Sequence, residues 1–212
     1  MTADRFGTPQ EFEIARRAMV SNQLRTTSVD DPRVVDAMAR VPREDFVPAD
    51  RRDIAYTDIS IPLANGRALN SPMATARLIN EAGVSSGDHV LIIGSATGYA
   101  CAIARLLAKS VVGLECDPAL ATADDVVGPL EAGAPDHGPF DVIIIDGAVE
   151  EVPAALIDQL APGGRLATAI VENGVTRLAV GRRGGAGFAL SAFADADAVV
   201  LPGFARPRAF VF

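Results

Sequence analysis

The chain has 212 residues, of which 49% are hydrophobic and 22% charged, so it is long enough for one domain with a real core and is not a disordered chain. The net charge of −8 and the pI of about 4.7 argue against a nucleic-acid-binding protein, whose surface is usually basic. Residues 1–13 carry acids rather than an apolar signal sequence, and no apolar run is long enough for a membrane span. The two cysteines, Cys101 and Cys116, are too few for a disulfide framework and lack metal-ligand spacing. We therefore expect a cytoplasmic protein with no metal, nucleic-acid or membrane partner.

The first third of the chain is predicted to be helical. Residues 11–25 place apolar side chains at helical spacing. Asp31 and Pro32 suit the N-cap and first turn of a second helix that ends before Pro42. Residues 48–67 are rich in Pro, Gly, Asn and Asp and predict a loop, and residues 72–82 predict a third helix.

The second part of the chain alternates strands with helices. We predict strands at 89–93, 111–115, 141–145 and 165–171, helices at 99–108 and 152–160, and a short helix and strand around 126–127. Such alternation indicates parallel βαβ units, and the apolar strands indicate a sheet covered on both faces. Segments 175–182, 188–193 and 208–212 are typical of strands, which predicts an antiparallel hairpin at the C-terminal edge.

These elements predict an α/β fold with a Rossmann-like, doubly wound and mostly parallel sheet. An N-terminal helical segment that includes the substrate loop, residues 1–82, precedes a nucleoside-binding domain at 83–212. We expect the two parts to form one compact unit.

A glycine-rich turn, Gly94 to Gly98, joins the first strand of the sheet to the next helix. Glycine allows tight turning and close backbone approach, and the N-terminus of a helix offers free N–H groups. The turn lies at the carboxyl edge of an open sheet, where such folds bind ligands. Alone, the spacing of two glycines is equally typical of a purely structural turn.

An acid strengthens the prediction of a ligand. Glu115 ends the second strand about 20 residues after the turn, where an acid can accept both ribose hydroxyls of an adenosine. A plain surface charge is the alternative. Turn and acid together predict a nucleoside cofactor without choosing between NAD and S-adenosylmethionine. Asp146, predicted to close the strand 142–145 and open a loop, either lines the cofactor or acceptor site or caps a helix.

Most of the chain resembles the protein-L-isoaspartate O-methyltransferases. The resemblance rests on blocks in the N-terminal third, on the turn after residues 89–91, and on one block after Asp146. These blocks are Met-Val-Ser-Asn-Gln-Leu-Arg at 19–25, Val-Pro-Arg-Glu-Asp-Phe-Val-Pro at 41–48, Ala-Tyr-Thr-Asp-Ile-Ser-Ile-Pro-Leu at 55–63 and Pro-Ala-Ala-Leu-Ile-Asp-Gln-Leu-Ala-Pro-Gly-Gly-Arg-Leu at 153–166.

The resemblance implies methyl transfer from S-adenosylmethionine to the α-carboxylate of an isoaspartyl residue in a damaged protein or peptide. The ester then collapses to a succinimide, which reopens partly to normal aspartate. A carboxylate is already ionised at neutral pH, so no general base is needed, and His89 and His137 are expected to be structural or surface residues. We expect a monomer or a weak dimer.

The resemblance also assigns site residues by position. The substrate loop, residues 69–72, is where the family holds the acceptor carboxylate. This acceptor loop is expected to supply Asn70 and Ser71 to catalysis. Residues expected at the cofactor are Gly94, Ser95, Ala96, Thr97, Gly98, Glu115 and Asp146.

Several positions depart from the family pattern. Ile92 stands where the family has an acid, and Ala96 stands for the middle glycine of the turn, where its methyl group intrudes or its φ is unfavourable. Pro129 follows Gly128 where the family has Gly-Asp-Gly, so an acid that helps hold the adenine is missing. Asn70 takes the place of a serine, and its amide can still donate a hydrogen bond, although the stretch also suits a helix N-cap.

The crossover at 117–125 is short for a connection between parallel strands, which needs a dozen or so residues. Either this branch is trimmed or a segment is missing from the sequence. Three hypotheses therefore remain: an active isoaspartyl methyltransferase with adapted pockets, a degenerate relative that binds a nucleoside or a partner, and a methyltransferase with another acceptor.

Overall fold

The computed structural model describes residues 7–24, 26–185 and 187–206. Helix α1 spans Pro9–Met19, and a capping box between Thr8 and Glu11 begins it. A single π-helical stretch, Val20–Leu24, prolongs it. These two elements confirm the helix predicted at 11–25 as far as Leu24.

The next two helices begin with side-chain caps that the sequence carries. Helix α2, Pro32–Arg40, begins where the Asp31 side chain accepts from the Arg33 N–H. Helix α3, Pro72–Ala82, begins where the Ser71 side chain accepts from the Ala74 N–H, and it ends at a left-handed Gly83. Both helices lie where they were predicted.

The predicted loop at 48–67 contains only short regular pieces. Turns of 3-10 helix span Arg43–Phe46, Ala49–Ile54 and Ala64–Gly66. Strands β1, Ile61–Pro62, and β2, Ala68–Leu69, form a small antiparallel pair. This pair brings the segment before α3 towards the main sheet, so that Arg67 and Asn70 reach its edge.

The main sheet has seven strands among the described residues. They are β3 (His89–Ile93), β4 (Ser110–Glu115), β5 (Val126–Val127), β6 (Phe140–Val149), β7 (Leu160–Glu172), β8 (Val175–Gly184) and β9 (Gly187–Asp195). The order across the sheet is β5-β4-β3-β6-β7-β8-β9, parallel as far as β7 and antiparallel at β8 and β9. The predicted Rossmann-like fold and its antiparallel edge hairpin are confirmed.

The core lies on both faces of this sheet. In β3, Val90 and Ile92 belong to a cluster with the N-terminal helices, whereas Leu91 and Ile93 belong to a second cluster on the other face. Successive side chains of a strand point to opposite faces, so an unbroken apolar strand serves both clusters. Buried on both sides, β3 fixes the position of the turn that follows it.

Two predicted helices are shorter than expected. Helix α4, Tyr99–Ala104, stops short of the predicted end at 108, and α5, Ala154–Asp158, is trimmed at both ends of the predicted 152–160. Strand β7 begins at Leu160 and includes the Pro-Gly-Gly sequence that was predicted to separate helix from strand. Local periodicity locates such elements better than it fixes their ends.

The loop predicted after residue 145 is wrong. Strand β6 continues through Asp146 to Val149, with a register shift against β7 between Ile144 and Ala148. A bulge of this kind re-aims side chains without ending the strand. Asp146 therefore lies inside a bulged strand, and no helix N–H of the described residues donates to it.

The crossover between β4 and β5 is formed by turns, so the short helix predicted there is wrong. Leu114 pairs with Val126 and Glu115 with Val127, so the short connection suffices to place β5 beside β4 in parallel. The segment predicted to be β-type at 208–212 lies outside the described residues. Of the helices in the described ranges, none has the length and apolar character that crossing a membrane requires.

Candidate functional site

The glycine-rich turn lies between the end of β3 and the start of α4 at the carboxyl edge of the sheet. The N–H groups of Gly94 and Ser95 both donate to the Leu114 carbonyl, at 2.9 and 3.1 Å, which fixes the turn against β4. Gly94, Ala96 and Gly98 have positive φ values of 76°, 50° and 95°. A left-handed φ at a residue with a Cβ costs about 1–2 kcal/mol, so Ala96 is the strained member of the turn.

Glu115 lies at the end of β4 and is fully buried. Arg67 donates to both of its carboxylate oxygens, from Nε at 3.1 Å and from Nη2 at 2.9 Å. The backbone N–H groups of Ala96, Cys116 and Asp117 also donate to it, at 2.8, 2.9 and 3.1 Å. The acid predicted for ribose is therefore saturated by donors of the chain itself.

The contact between Glu115 and Arg67, and not their burial, decides that both groups are ionised. Burial acts to raise the pKa of Glu115, but the hydrogen bonds and charge of Arg67 outweigh it and hold the pKa below its usual value. Burial acts to lower the pKa of Arg67, and Glu115 in turn raises it. Both groups are ionised at neutral pH, and each neutralises the other inside the fold.

Asp146 occupies a second buried position at the same edge of the sheet. Its Oδ1 accepts from Asn70 Nδ2 at 3.2 Å and from Thr75 Oγ1 at 2.9 Å. Burial raises the pKa of Asp146, whereas these two hydrogen bonds and the nearby arginines Arg43 and Arg67 act to lower it. The structure therefore joins Asp146 to the acceptor loop through Asn70.

Asn70 has its side-chain amide and its backbone carbonyl engaged. Besides the bond to Asp146, its Oδ1 accepts from the Val199 N–H at 3.2 Å, and its backbone carbonyl accepts from Arg43 Nη2 at 2.6 Å. Arg43 is fully buried and also donates to the Ala55 carbonyl at 2.8 Å. Asn70 thus lies beside the predicted cofactor edge, in a rigid setting.

Ser71 lies next to Asn70 but has a different partner. Its hydroxyl accepts from the Ala74 N–H at 3.2 Å as the N-cap of α3. This is the capping role that the sequence left open for the stretch. The catalytic roles expected for Asn70 and Ser71 remain predictions.

The other polar residues of the turn are bonded within the protein. Ser95 Oγ donates to Asp125 Oδ2 at 3.1 Å, and Thr97 Oγ1 donates to the Phe46 carbonyl at 2.6 Å. His89 is hydrogen-bonded through its two ring nitrogens to Ser110 and to the His137 carbonyl, at the opposite end of β3. The side chains of Ser95 and Thr97 stabilise the turn rather than pointing into an open cleft.

A stretch that we call the C-terminal segment, residues 197–206, crosses this edge of the sheet. Leu201 is 4% exposed and lies directly over the glycine-rich turn. A Cβ atom added to Gly94 would lie 2.9 Å from Leu201 Cδ1, and one added to Gly147 would lie 2.6 Å from Leu201 Cγ. The close approach that these glycines allow is therefore used by a side chain of the same protein.

The C-terminal segment also packs against the stretch that follows β5, at the same edge of the sheet. A Cβ atom added to Gly203 would lie 2.2 Å from Glu131 Oε2. Phe204 belongs to the same buried cluster as Leu130, which follows the Pro129 that replaces the family's adenine acid. In this conformation the cleft does not fit a nucleoside cofactor, because Leu201 fills it and Glu115 has no free acceptor.

Sequence reasoning found the turn, Glu115 and Asp146 but missed three residues that occupy the site. They are Arg67, Asp125 and Leu201. Arg67 carried one usable signal, since a lone arginine lies in an otherwise uncharged stretch just before the acceptor loop. The other two stand in unremarkable surroundings, and only the folded chain brings them to the turn.

The model of the family Protein-L-isoaspartate(D-aspartate) O-methyltransferase matches residues 15–191. Among curated relatives, a protein-L-isoaspartate O-methyltransferase of Roseiflexus castenholzii is 38% identical, and the alignment covers 74% of this chain and 77% of that protein. A second, from Anaeromyxobacter sp. (strain Fw109-5), is 36% identical over 73% of this chain and 69% of its own length. The matched family range ends before the C-terminal segment begins.

Solved structures agree in fold. A protein-L-isoaspartate O-methyltransferase structure covers 89% of this chain and 66% of its own, with a TM-score of 0.75 and 22% identity. A candidate protein-L-isoaspartate O-methyltransferase from Plasmodium falciparum, in complex with S-adenosyl-L-homocysteine, covers 88% of this chain and 97% of its own, with a TM-score of 0.73 and 20% identity. At these identities the likeness concerns the fold.

Proposed function

The chain belongs to the protein-L-isoaspartate O-methyltransferase family, and from this premise we propose that it methylates the α-carboxylate of isoaspartyl residues in damaged proteins. S-adenosylmethionine is the methyl donor of this family. The observation that carries the proposal is the family match over residues 15–191, which includes both the acceptor loop and the glycine-rich turn.

The retained chemistry of the sheet edge supports the same activity. Gly94, Gly98 and Glu115 keep the pattern of a nucleoside site, and the backbone N–H of Ala96 already points to the Glu115 carboxylate. We propose that Glu115 binds the ribose once Arg67 has left it. Asn70, held beside Asp146, is proposed to face the acceptor carboxylate through its amide group.

The protein itself supplies orientation rather than a base. An isoaspartyl carboxylate is ionised at neutral pH and needs no proton removed before it attacks. Holding two reactants in the right geometry is enough to contribute several kcal/mol to a reaction of this kind. The rigid acceptor loop, fixed by the buried Arg43 and by β1 and β2, suits that task.

The test is a labelled-methyl assay on a synthetic peptide with one isoaspartyl residue, with the normal aspartyl peptide as control. Wild type and Leu201→Ala are both assayed at saturating S-adenosylmethionine. We expect label in the isoaspartyl peptide alone. Absence of transfer by both proteins, each shown to be folded, would overturn the proposal.

A second candidate function is a relative that has lost catalysis and binds a partner or a nucleoside. The bidentate pair of Arg67 with Glu115 favours it, because this pair satisfies the acid without any ligand. A methyltransferase with another acceptor is favoured only by Asn70. Calorimetry with S-adenosylhomocysteine separates a purely partner-binding relative from both enzymes, and the labelled-methyl assay separates a nucleoside-binding relative from the isoaspartyl methyltransferase. A panel of acceptor peptides separates the two enzymes.

We further propose that the protein works as a monomer or weak dimer in the cytoplasm. The acidic composition and the two free cysteines, Cys101 and Cys116, support an intracellular, reducing setting. Sedimentation of the purified chain tests the first part, and fractionation of cells that make it tests the second.

A further inference from the structure

The C-terminal segment is attached to the sheet edge by strand-like hydrogen bonds. The Ala148 N–H donates to the Val199 carbonyl at 2.6 Å, and the Leu201 N–H donates to the Ala148 carbonyl at 2.9 Å. Val200 thereby forms an isolated parallel bridge with Ala148, while its side chain stays 64% exposed. The segment therefore adds a short strand-like piece across the ligand edge.

Its buried side chain lies where a ligand would have to enter. Leu201 contacts Gly94 of the turn and Gly147 of β6 so closely that a methyl group on either glycine would collide with it. Both glycines lie at the carboxyl edge, where open α/β sheets bind their ligands. Leu201 and a ligand on the turn cannot occupy this space together.

The same segment also engages the acceptor loop. The Val199 N–H donates to Asn70 Oδ1 at 3.2 Å, which ties the loop to the segment two residues before Leu201. One short stretch of chain thus contacts both the cofactor turn and the residue expected at the acceptor. Its displacement would release both at once.

Arg67 completes the closure from the other side. Its Nη2 would lie 3.5 Å from a Cβ atom on Gly94, so the guanidinium borders the same space as Leu201 while it pairs with Glu115. Leu201 fills the apolar part of the cleft and Arg67 satisfies its acid. Two side chains of the protein itself therefore occupy the cleft, one by apolar contact and one by pairing with the buried acid.

We propose that the C-terminal segment is a displaceable plug, and that the methyl donor binds in competition with Leu201. The proposal rests on the proposed function for the identity of the ligand. The segment lies beyond residues 15–191, the range that the family model matches. Among the described residues, the hydrogen bonds that hold the segment are made by the backbones of Val199, Leu201 and Arg206 alone, and the Val200 side chain faces solvent.

The plug predicts a measurable penalty on ligand binding. When only a fraction of the molecules is open, the apparent dissociation constant is the intrinsic one divided by that fraction. Leu201→Ala removes most of the side chain that fills the cleft and shifts the population towards the open state. Val200→Ala changes the adjacent residue, whose side chain is exposed, and serves as the matched control.

The experiment is calorimetric titration of S-adenosylhomocysteine into wild type, Leu201→Ala and Val200→Ala. We expect Leu201→Ala to bind at least about tenfold more tightly than wild type, and Val200→Ala to bind as wild type does. Equal or weaker binding by a folded Leu201→Ala variant overturns the plug. Equal tightening by both variants also overturns it, since the effect would then not depend on the buried side chain.

Hydrogen exchange of the wild-type protein gives a measurement that needs no variant. The Leu201 amide is bonded to Ala148 in the closed state, so its exchange is expected to quicken when S-adenosylhomocysteine is added. Unchanged or slower exchange over residues 197–206 at saturating ligand contradicts displacement.

The two proposals fail in different ways. Tighter binding by Leu201→Ala without methyl transfer to the isoaspartyl peptide leaves the plug standing and removes the proposed function. Methyl transfer by both proteins, with equal affinity for S-adenosylhomocysteine, leaves the function standing and removes the plug.

Discussion

Two buried carboxylates lie at the carboxyl edge of the sheet, on the strands that flank β3, and they have opposite electrostatic environments. Glu115 on β4 has a bidentate arginine and three backbone donors, which lower its pKa. Asp146 on β6 has two neutral donors, and burial raises its pKa. One acid stabilises the fold as an ion and the other is costly to ionise, although the sequence placed both among the expected cofactor residues.

This difference teaches that position at a ligand edge does not decide what an acid does. Arg67 satisfies Glu115 fully, so a ligand must replace an existing ion pair to use it. Of the residues that the structure describes, only Asn70 and Thr75 donate to the Asp146 side chain, so it stays coupled to the acceptor loop. Substitutions that remove one partner at a time should separate the two environments.

The largest effect is expected from Arg67→Met, which leaves the Glu115 charge buried without a partner. Removing one member of a buried ion pair costs about 3–5 kcal/mol. We expect urea unfolding at pH 7 to show a loss of this size. Arg51→Met is the control, because Arg51 is half exposed and 3.7 Å from Asp50, and such pairs contribute about 0–1 kcal/mol. Equal losses of unfolding free energy for both variants would show that the buried pair contributes no more to stability than the exposed one.

The second prediction is the pH dependence of that loss. Because the pKa of folded Glu115 is lowered, its contribution is fully present above the unfolded pKa of about 4.3 and is lost as the pH falls through the folded pKa. The gap in unfolding free energy between wild type and Arg67→Met should therefore narrow below about pH 4. Urea titrations at several pH values measure it, and a gap independent of pH would assign the loss to packing.

A smaller effect is expected from Ala96→Gly, which relieves the left-handed conformation beside Glu115. The relief of about 1–2 kcal/mol is offset by about 0.4–1 kcal/mol of extra chain entropy in the unfolded state, which leaves a gain of about 0–1.6 kcal/mol. Ala100→Gly, inside α4, is the control and should lose about 1 kcal/mol. Thermal unfolding of both variants measures these opposite changes in stability. A loss of stability for Ala96→Gly would show that Ala96 is not strained.

The smallest effect is expected from Asp146→Asn. The raised pKa means that ionised Asp146 reduces stability as the pH rises from the unfolded value of about 3.9 through the folded pKa, so a neutral amide removes that cost at pH 7. Its carbonyl oxygen can still accept from Asn70 and Thr75. We expect a change below about 1 kcal/mol, whereas Glu115→Gln should lose about 3–5 kcal/mol because it leaves Arg67 unpaired. Chemical denaturation measures the unfolding free energy of both variants. Similar losses would show that the two carboxylates do not differ in their contribution to stability.

The sequence predicted the scaffold of the site well because its signals are local. Apolar strands, the caps Asp31 and Ser71, and the glycines at 94 and 98 each act within a few residues of themselves. Element ends were less well predicted, as α4 and β6 show, because packing against the sheet decides where a helix or strand stops.

The sequence by itself determined the family, the Rossmann-like sheet, and the edge at which Gly94, Ala96, Glu115 and Asp146 meet. Only the tertiary structure decided what fills that edge. Arg67 lies 48 residues from Glu115 in the chain, and Val199 lies 129 residues from Asn70. Periodicity and capping act within a few turns of chain, whereas an ion pair or a buried leucine depends on which distant side chain reaches the same space once the chain has folded.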